Sequence, residues 1–274
     1  MKVFISADIE GISCIVDSPS QTADAGRDYE RGRRLMTGDV NAAIAGAFDG
    51  GATEVVVSDG HGASKMRNIL LEELDSRADA VVGSPKPLTQ MEGIGKEHKV
   101  VFLVGYHARM GSSGILSHTI SGGTVANIWV NDRLVGETGL NSLIAGGFGV
   151  PVGLLTGDQC VAEEARALMP WIDTVVVKYA ISRSSARCIP PARTKQMIQA
   201  AAALAVKSAA AGKYEPLTFA PPLTYKAQFV NAGIADGASR AQGITRLDPT
   251  TFTFTADCPI KGFKILRGLI GLAQ

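Results

Sequence analysis

The chain has little charge of one sign. Its 27 Lys and Arg stand against 26 Asp and Glu, for a formal net charge of +1. Domains that bind nucleic acid through a broad basic patch are strongly basic, so this balance argues against that class. Cysteine is also scarce. Cys14, Cys160, Cys188 and Cys258 are scattered and form no C-x-x-C pair, which reads as reduced thiols rather than a disulfide framework or a thiolate metal site. No apolar run reaches the length of a membrane span. The opening "MKVF" lacks the basic start and long apolar core of a signal peptide, and a cytoplasmic protein is expected. "GHGASK" lacks the G-x-x-x-x-G-K-[ST] spacing of a phosphate-binding loop. Histidine is rare as well, with 4 in 274 residues, so where those four fall carries weight.

What is present is apolar and glycine-rich: 46% hydrophobic residues and 31 glycines, enough to bury a sizeable core. Strand-like runs alternate with helix-like ones. "VFISA" precedes "YERGRRLMTGDVNAAIAGAFDGGA", which Gly50 and Gly51 close. "EVVVSDGHG" and "KVVFLVGYH" follow as further strands. "SHTISGGTVANIWVNDRLVGE" reads as antiparallel strands, with Asn131 and Asp132 at a hairpin turn. "TGLNSLIAGGFG" is a helix, "VPVGLLTGD" a strand and "CVAEEARALMP" a helix. This alternation predicts an α/β fold with a mainly parallel sheet and flanking helices. Beyond Pro170 the texture changes, and prolines open the Ala-rich helix after "ISRSSARC". The expected division is a catalytic domain over 1–170 and a smaller C-terminal α/β domain over 171–274.

Parallel sheets bind ligands outside the carboxyl ends of their strands. "VFISADIEG" delivers Asp8 and Glu10 there, two residues apart and therefore on one face. "EVVVSDGHG" delivers Asp59 and His61, and "VVFLVGYH" delivers His107. His118, in "ILSHTI", lies close by in sequence, whereas His98, in "GKEHK", reads as plain surface. Like charges at Asp8 and Glu10 repel unless something positive sits between them. Carboxylates mixed with imidazoles suit zinc and similar divalent ions, with Asp8 and Glu10 serving one ion or Asp8 bridging two. Singly, each residue has a plainer role: Asp59 as a turn former or cap, a histidine as a hydrogen-bonded core group, Glu137 as an acid favoured in a helix's first turn. Convergence is what favours metal. Arg109 could hold a substrate carboxylate but is equally an ordinary surface residue. The "GSSG" of 111–114 could form an anion nest or a flexible loop.

Taken together, "SADIEG", "YERGRRLMT", "SDGHG", "GYHAR", "SHT" and "NDRLVGETGLN" resemble the D-aminopeptidase family of dinuclear zinc peptidases. The resemblance continues through Gly157–Asp158 and "ISRSSARC" and weakens after about Leu217. It implies two zinc ions per subunit bridged by Asp8, with Glu10 and His107 completing one site and His61 and Glu137 the other. It implies His118 as the catalytic nucleophile or general acid–base. It further implies hydrolysis of the N-terminal residue, expected to be a D-residue, from short peptides or amino-acid amides, by subunits assembled as a homodecamer. Two rivals remain: another dinuclear metallohydrolase, acting on non-peptide amides or phosphate esters, and a non-catalytic metal-binding oligomer. His118 separates the last, because a carrier needs no histidine beyond its ligands. In an alternating strand, His118 would lie between Leu116 and Ile120 on one face.

Overall fold

The apolar run that opens the chain lies between two other strands of the main sheet. The computed structural model describes residues 1–273. In chain order the elements are β1 (Lys2–Ala7), α1 (Ser18–Gln21), α2 (Tyr29–Asp49), β2 (Glu54–Asp59), β3 (Ala78–Val81) and β4 (His98–Val104). A hairpin of β5 (Val125–Val130) and β6 (Arg133–Val135) leads into α3 (Glu137–Gly147), β7 (Val152–Asp158) and α4 (Gln159–Leu168). Next come β8 (Asp173–Ser182), β9 (Ser185–Cys188), α5 (Pro191–Ala210), β10 (Leu223–Phe229), α6 (Ala232–Ala238), β11 (Thr245–Arg246), β12 (Thr251–Ala256) and α7 (Pro259–Leu272).

The first sheet has the order β3-β2-β1-β4-β7-β8-β9 and is parallel except for the β8–β9 hairpin. It is buried on both faces, which is why its strands read as continuous Val/Ile/Leu runs. Val3, Ile5, Val100 and Phe102 face α2 and α5, while Phe4, Val101, Leu103 and Leu155 face α3 and the second sheet. That sheet is antiparallel, β11-β12-β10-β5-β6, and carries α6 and α7. The α/β architecture is the one expected, a mainly parallel sheet with flanking helices.

The sheets do not divide at residue 170. From beyond it, β8 and β9 complete the first sheet, since the buried Val175 and Val177 require a partner strand and β7 supplies it. From before it, β5 pairs with β10, with Val130 opposite Tyr225. The chain therefore crosses between the sheets more than once. The hairpin turn falls at Asn131 and Asp132 as read, both with positive φ, 48° and 61°. His98 is a correction: it is 3% exposed at the start of β4, opposite Lys2 of β1, with its ring edge-on to Phe4. The polar neighbours Glu97 and Lys99 masked a position inside the sheet. Among the described residues, no helix is long and apolar enough to cross a membrane.

Candidate metal centre

The parallel strands β2, β1 and β4 lie side by side, with β1 in the middle. Asp8 follows β1, His61 lies just past β2 and His107 just past β4, so one carboxylate is flanked by two imidazoles. Two glycines let the chain turn there. A Cβ on Gly11 would stand 1.9 Å from the Tyr106 carbonyl oxygen, and Gly105 adopts φ +74° against the Asp8 carbonyl. The fully buried Lys178 of β8 holds the same turn. Its Nζ donates to the carbonyls of Glu10, Ile12 and Ile15 at 2.6, 2.9 and 2.6 Å, and burial lowers its pKa to about 8.

Two groups of side chains result. In the first, His61 Nδ1 lies 3.4 Å from Asp8 Oδ1 and 3.1 Å from Glu10 Oε2. In the second, His107 Nε2 lies 3.6 Å from Asp8 Oδ2 and 3.3 Å from Glu137 Oε1, with His118 Nε2 3.9 Å from that same Glu137 oxygen. The His107 and His118 rings stack at 4.1 Å, and all three carboxylates are buried. Asp8 joins the groups, one oxygen to each. Glu137 reaches in from the first turn of α3, where the helix dipole favours an acid.

The outward nitrogens fix the tautomers. His61 Nε2 faces the Thr22 carbonyl at 2.7 Å, His107 Nδ1 the Ala108 carbonyl at 3.1 Å and His118 Nδ1 the Leu116 carbonyl at 2.8 Å. A carbonyl only accepts, so each of these nitrogens carries a proton and donates it. In the neutral rings every inward nitrogen is then a bare lone pair facing a carboxylate, an arrangement that demands a cation. Glu10 Oε2 and His107 Nε2 are buried without any hydrogen-bond partner. The residues therefore fit divalent metal, as carbonyl-oriented imidazoles and hard carboxylates do.

With protons alone, the centre polarises itself instead. Burial, helped by Glu10, raises Asp8 to about 7. Burial pulls His107 down, but the Glu137 charge outweighs it and lifts the ring to about 10. Burial likewise pushes Glu137 up, and His107 outweighs that to bring it to about 2. Protons gather where positive charge is wanted.

A family model described as D-aminopeptidase matches residues 1–267. The chain belongs to the D-aminopeptidase family. The D-aminopeptidase of Bacillus subtilis (strain 168) is 38% identical over 276 residues, covering 100% of this chain and 98% of that protein. A solved structure described as the Zn-dependent D-aminopeptidase DppA from Bacillus subtilis, a self-compartmentalizing protease, superposes with a TM-score of 0.95 at 36% identity, over 100% of this chain and 98% of that one.

In this D-aminopeptidase family member, Asp8, Glu10, His61, His107, Glu137 and His118 all meet at one place. The pairing differs from the one the resemblance implied. Glu10 belongs with His61 and Glu137 with His107, because the chain leaving β1 carries Glu10 toward β2 while α3 approaches beside β4. The surroundings of His118 differ too. Residues 116–120 form no strand: Leu116 and Ile120 have φ of 52° and 61°. The His118 N–H donates to the Ala108 carbonyl at 3.2 Å, and the imidazole is 18% exposed at the cavity wall. Asp59 stays structural, accepting from the Asn68 N–H and, at 2.8 Å, from the Ile69 N–H. Arg109 donates to the Met110 carbonyl and does not line the cavity. The 111–114 loop is tied down by Asp158, which accepts from the Ile115 N–H at 2.6 Å.

The sequence reading missed a layer beneath the carboxylates. Gln90 Nε2 donates to Asp8 Oδ2 at 3.1 Å and to Glu137 Oε2 at 2.5 Å. Its Oε1 accepts from Asn141 Nδ2 at 2.5 Å, and the same Nδ2 donates to the Tyr106 hydroxyl at 2.8 Å. Ser6 Oγ donates to the Gln90 carbonyl at 2.9 Å, so at 2.6 Å the Tyr106 hydroxyl donates to Ser6. Each proton in this chain has one assignment, and the Gln90 amide can only point its nitrogen at the carboxylates. Asn141 was detectable, being one helical turn after Glu137. Nothing around "PLTQMEG" marks Gln90. Above the carboxylates opens a cavity of about 390 Å³, walled also by Ile120, Leu140, Phe263 and Arg267.

Proposed function

We propose that this protein is a zinc-dependent aminopeptidase that removes the N-terminal residue, a D-residue, from short peptides or amino-acid amides. In this reading each subunit holds two zinc ions. Asp8, Glu10 and His61 hold one; Asp8, His107 and Glu137 hold the other. The observation that carries it is the set of inward-facing imidazole lone pairs opposite three buried carboxylates, with Glu10 Oε2 and His107 Nε2 left without partners. Bound zinc supplies Lewis acidity toward the scissile carbonyl and lowers the pKa of bound water.

The chain's own groups do the rest. Net hydrolysis puts the water oxygen on the carbonyl carbon, breaks the C–N bond and delivers a proton to the departing nitrogen. His118 suits that proton transfer. Its Nδ1–H is committed to the Leu116 carbonyl, so Nε2 is the free position. Burial, with His107 alongside, lowers its pKa, which keeps a neutral base available near pH 7. A substrate's free amine, once deprotonated, would be a ligand for the metal rather than a partner of the carboxylates that hold it, while Gln90 and the backbone carbonyls behind the imidazoles hold the site's geometry.

The test pairs metal analysis with a substrate panel. Purified protein should carry two zinc ions per chain and release free amino acid from D-residue dipeptides and amides. L-residue counterparts should be poorer substrates, and a chelator should abolish turnover. Hydrolysis of p-nitrophenyl phosphate in preference to any peptide would favour the phosphoesterase reading. The solved relative is described as self-compartmentalizing. On that likeness we propose a homodecamer here too, which light scattering at micromolar concentration checks.

A further inference from the structure

The cavity's lining contains three carboxylates and a single Lys or Arg, namely Arg267. This residue lies on α7, one turn after Phe263, which lines the cavity with it. Residues four apart share a helix face, so α7 presents an apolar ring and a guanidinium together to the wall. Arg267 is half-buried, yet it has no hydrogen-bond or ion-pair partner among the described residues. The acid that acts on it most is Glu137, which lies beyond ion-pair distance and is already engaged by Gln90, Ile120 and His107. A guanidinium withdrawn from water without a partner is unfavourable, and a planar two-oxygen anion satisfies its fork.

We propose that Arg267 binds the free C-terminal carboxylate of the substrate, which makes the preferred substrate class dipeptides rather than amino-acid amides or longer chains. The inference rests on the aminopeptidase reading above. The two ends of a dipeptide match that layout: its free amine, once deprotonated, would meet the metal that Asp8, Glu10 and Glu137 hold, and its carboxylate end would meet Arg267. The scissile amide then lies between them, over the centre. An extended dipeptide spans only two residues of roughly 3.3–3.6 Å each, which fits a cavity of about 390 Å³. A longer peptide carries its carboxylate past the guanidinium. Arg109, the residue the sequence offered for this task, is committed to the Met110 carbonyl.

The test is a cycle in which both sides of the contact are neutralised. The kcat/KM values are measured for a D-residue dipeptide and for its C-terminal amide, with the zinc-loaded parent and with Arg267→Met, which keeps the apolar stem. A charge-assisted contact is worth about 10–100-fold. Converting carboxylate to amide should therefore cost the parent that factor and cost Arg267→Met less than about three-fold, with Arg267→Lys in between. Equal cost in the parent and in Arg267→Met overturns the proposal, even if Arg267→Met is slower with both substrates. A parent that hydrolyses neither compound while carrying its zinc overturns the aminopeptidase reading itself, and this proposal with it.

Discussion

Replacing Gln90 by leucine removes the amide that ties Asp8 to Glu137 while keeping most of the side chain's volume. The amide makes two charge-assisted hydrogen bonds, to Asp8 Oδ2 and Glu137 Oε2. At about 1.5–3 kcal/mol each, they hold those oxygens with about 3–6 kcal/mol in total. Their loss has two opposed effects on zinc. Freed oxygens are more basic and attract a cation more strongly. They are also free to rotate away from His107, and Asn141 Nδ2 loses one of its acceptors. Each carboxylate oxygen has two lone pairs, so the amide and a metal do not compete for one position, and the orienting effect should win. Removing such an outer partner ordinarily weakens metal binding about 10–100-fold, or roughly 1.4–2.8 kcal/mol.

The loss should be lopsided. The site of Asp8, His107 and Glu137 touches Gln90 twice, whereas Glu10 and His61 do not touch it at all. Competition against a zinc-binding dye, read as two dissociation constants, should show one weakened by that factor and the other changed only a few-fold. Asn141→Ala, which frees the amide to flip, should weaken the same site less, and combining it with Gln90→Leu should add little. If Gln90→Leu binds both ions at parental affinity, or weakens both equally, the amide does not orient the centre.

Further outcomes follow from the same geometry. His118→Ala should retain two zinc ions and its oligomer while turnover falls about 10²–10⁴-fold; near-parental hydrolysis would make His118 structural, and loss of zinc would make it a ligand. His61→Ala should lose zinc, measured by metal analysis, together with turnover, because Glu10 and Asp8 then face each other without an imidazole between them. Lys178→Met strands three buried carbonyls and should cost about 3–5 kcal/mol in urea unfolding of the metal-free protein, with Lys178→Arg failing to restore it because the site fits a single ammonium. Stability within about 1 kcal/mol of the parent would mean water replaces Nζ.

Much of the centre was legible because each part was local. Asp8, His61 and His107 stand at or just past the ends of strands whose valine and isoleucine runs announce them, and Glu137 opens a helix with a clear start. The pairing was not legible, because it depends on strand order, and the order β2-β1-β4 is decided by long-range packing. His118 misled for a related reason. Ile115 and Leu116 are buried side by side in a loop that anchors to Arg183 and Ala108, and buried apolar neighbours mimic a strand. Gln90 and Lys178 were missed as site residues because their contacts lie 47–82 and 163–168 residues away in sequence. The sharing of strands across residue 170 was not legible, because hydropathy marks β5 and β10 as strands without revealing that they pair with each other.

The strand order also explains why Asp8 rather than Glu10 lies beside both imidazoles. β1 lies between the strand preceding His61 and the strand preceding His107, so the first residue past its end is within reach of both imidazoles. A residue two positions on has already turned with the chain toward one side. The imidazoles, in turn, are aimed by main-chain carbonyls at Thr22, Ala108 and Leu116, which lie in different segments of the fold. None of those anchors is a metal ligand or depends on one. Tautomer and ring direction are therefore fixed once β1, β2 and β4 have paired and their loops have closed. The lone pairs of the site thus converge without a metal, so binding of a cation would not have to order the chain as well.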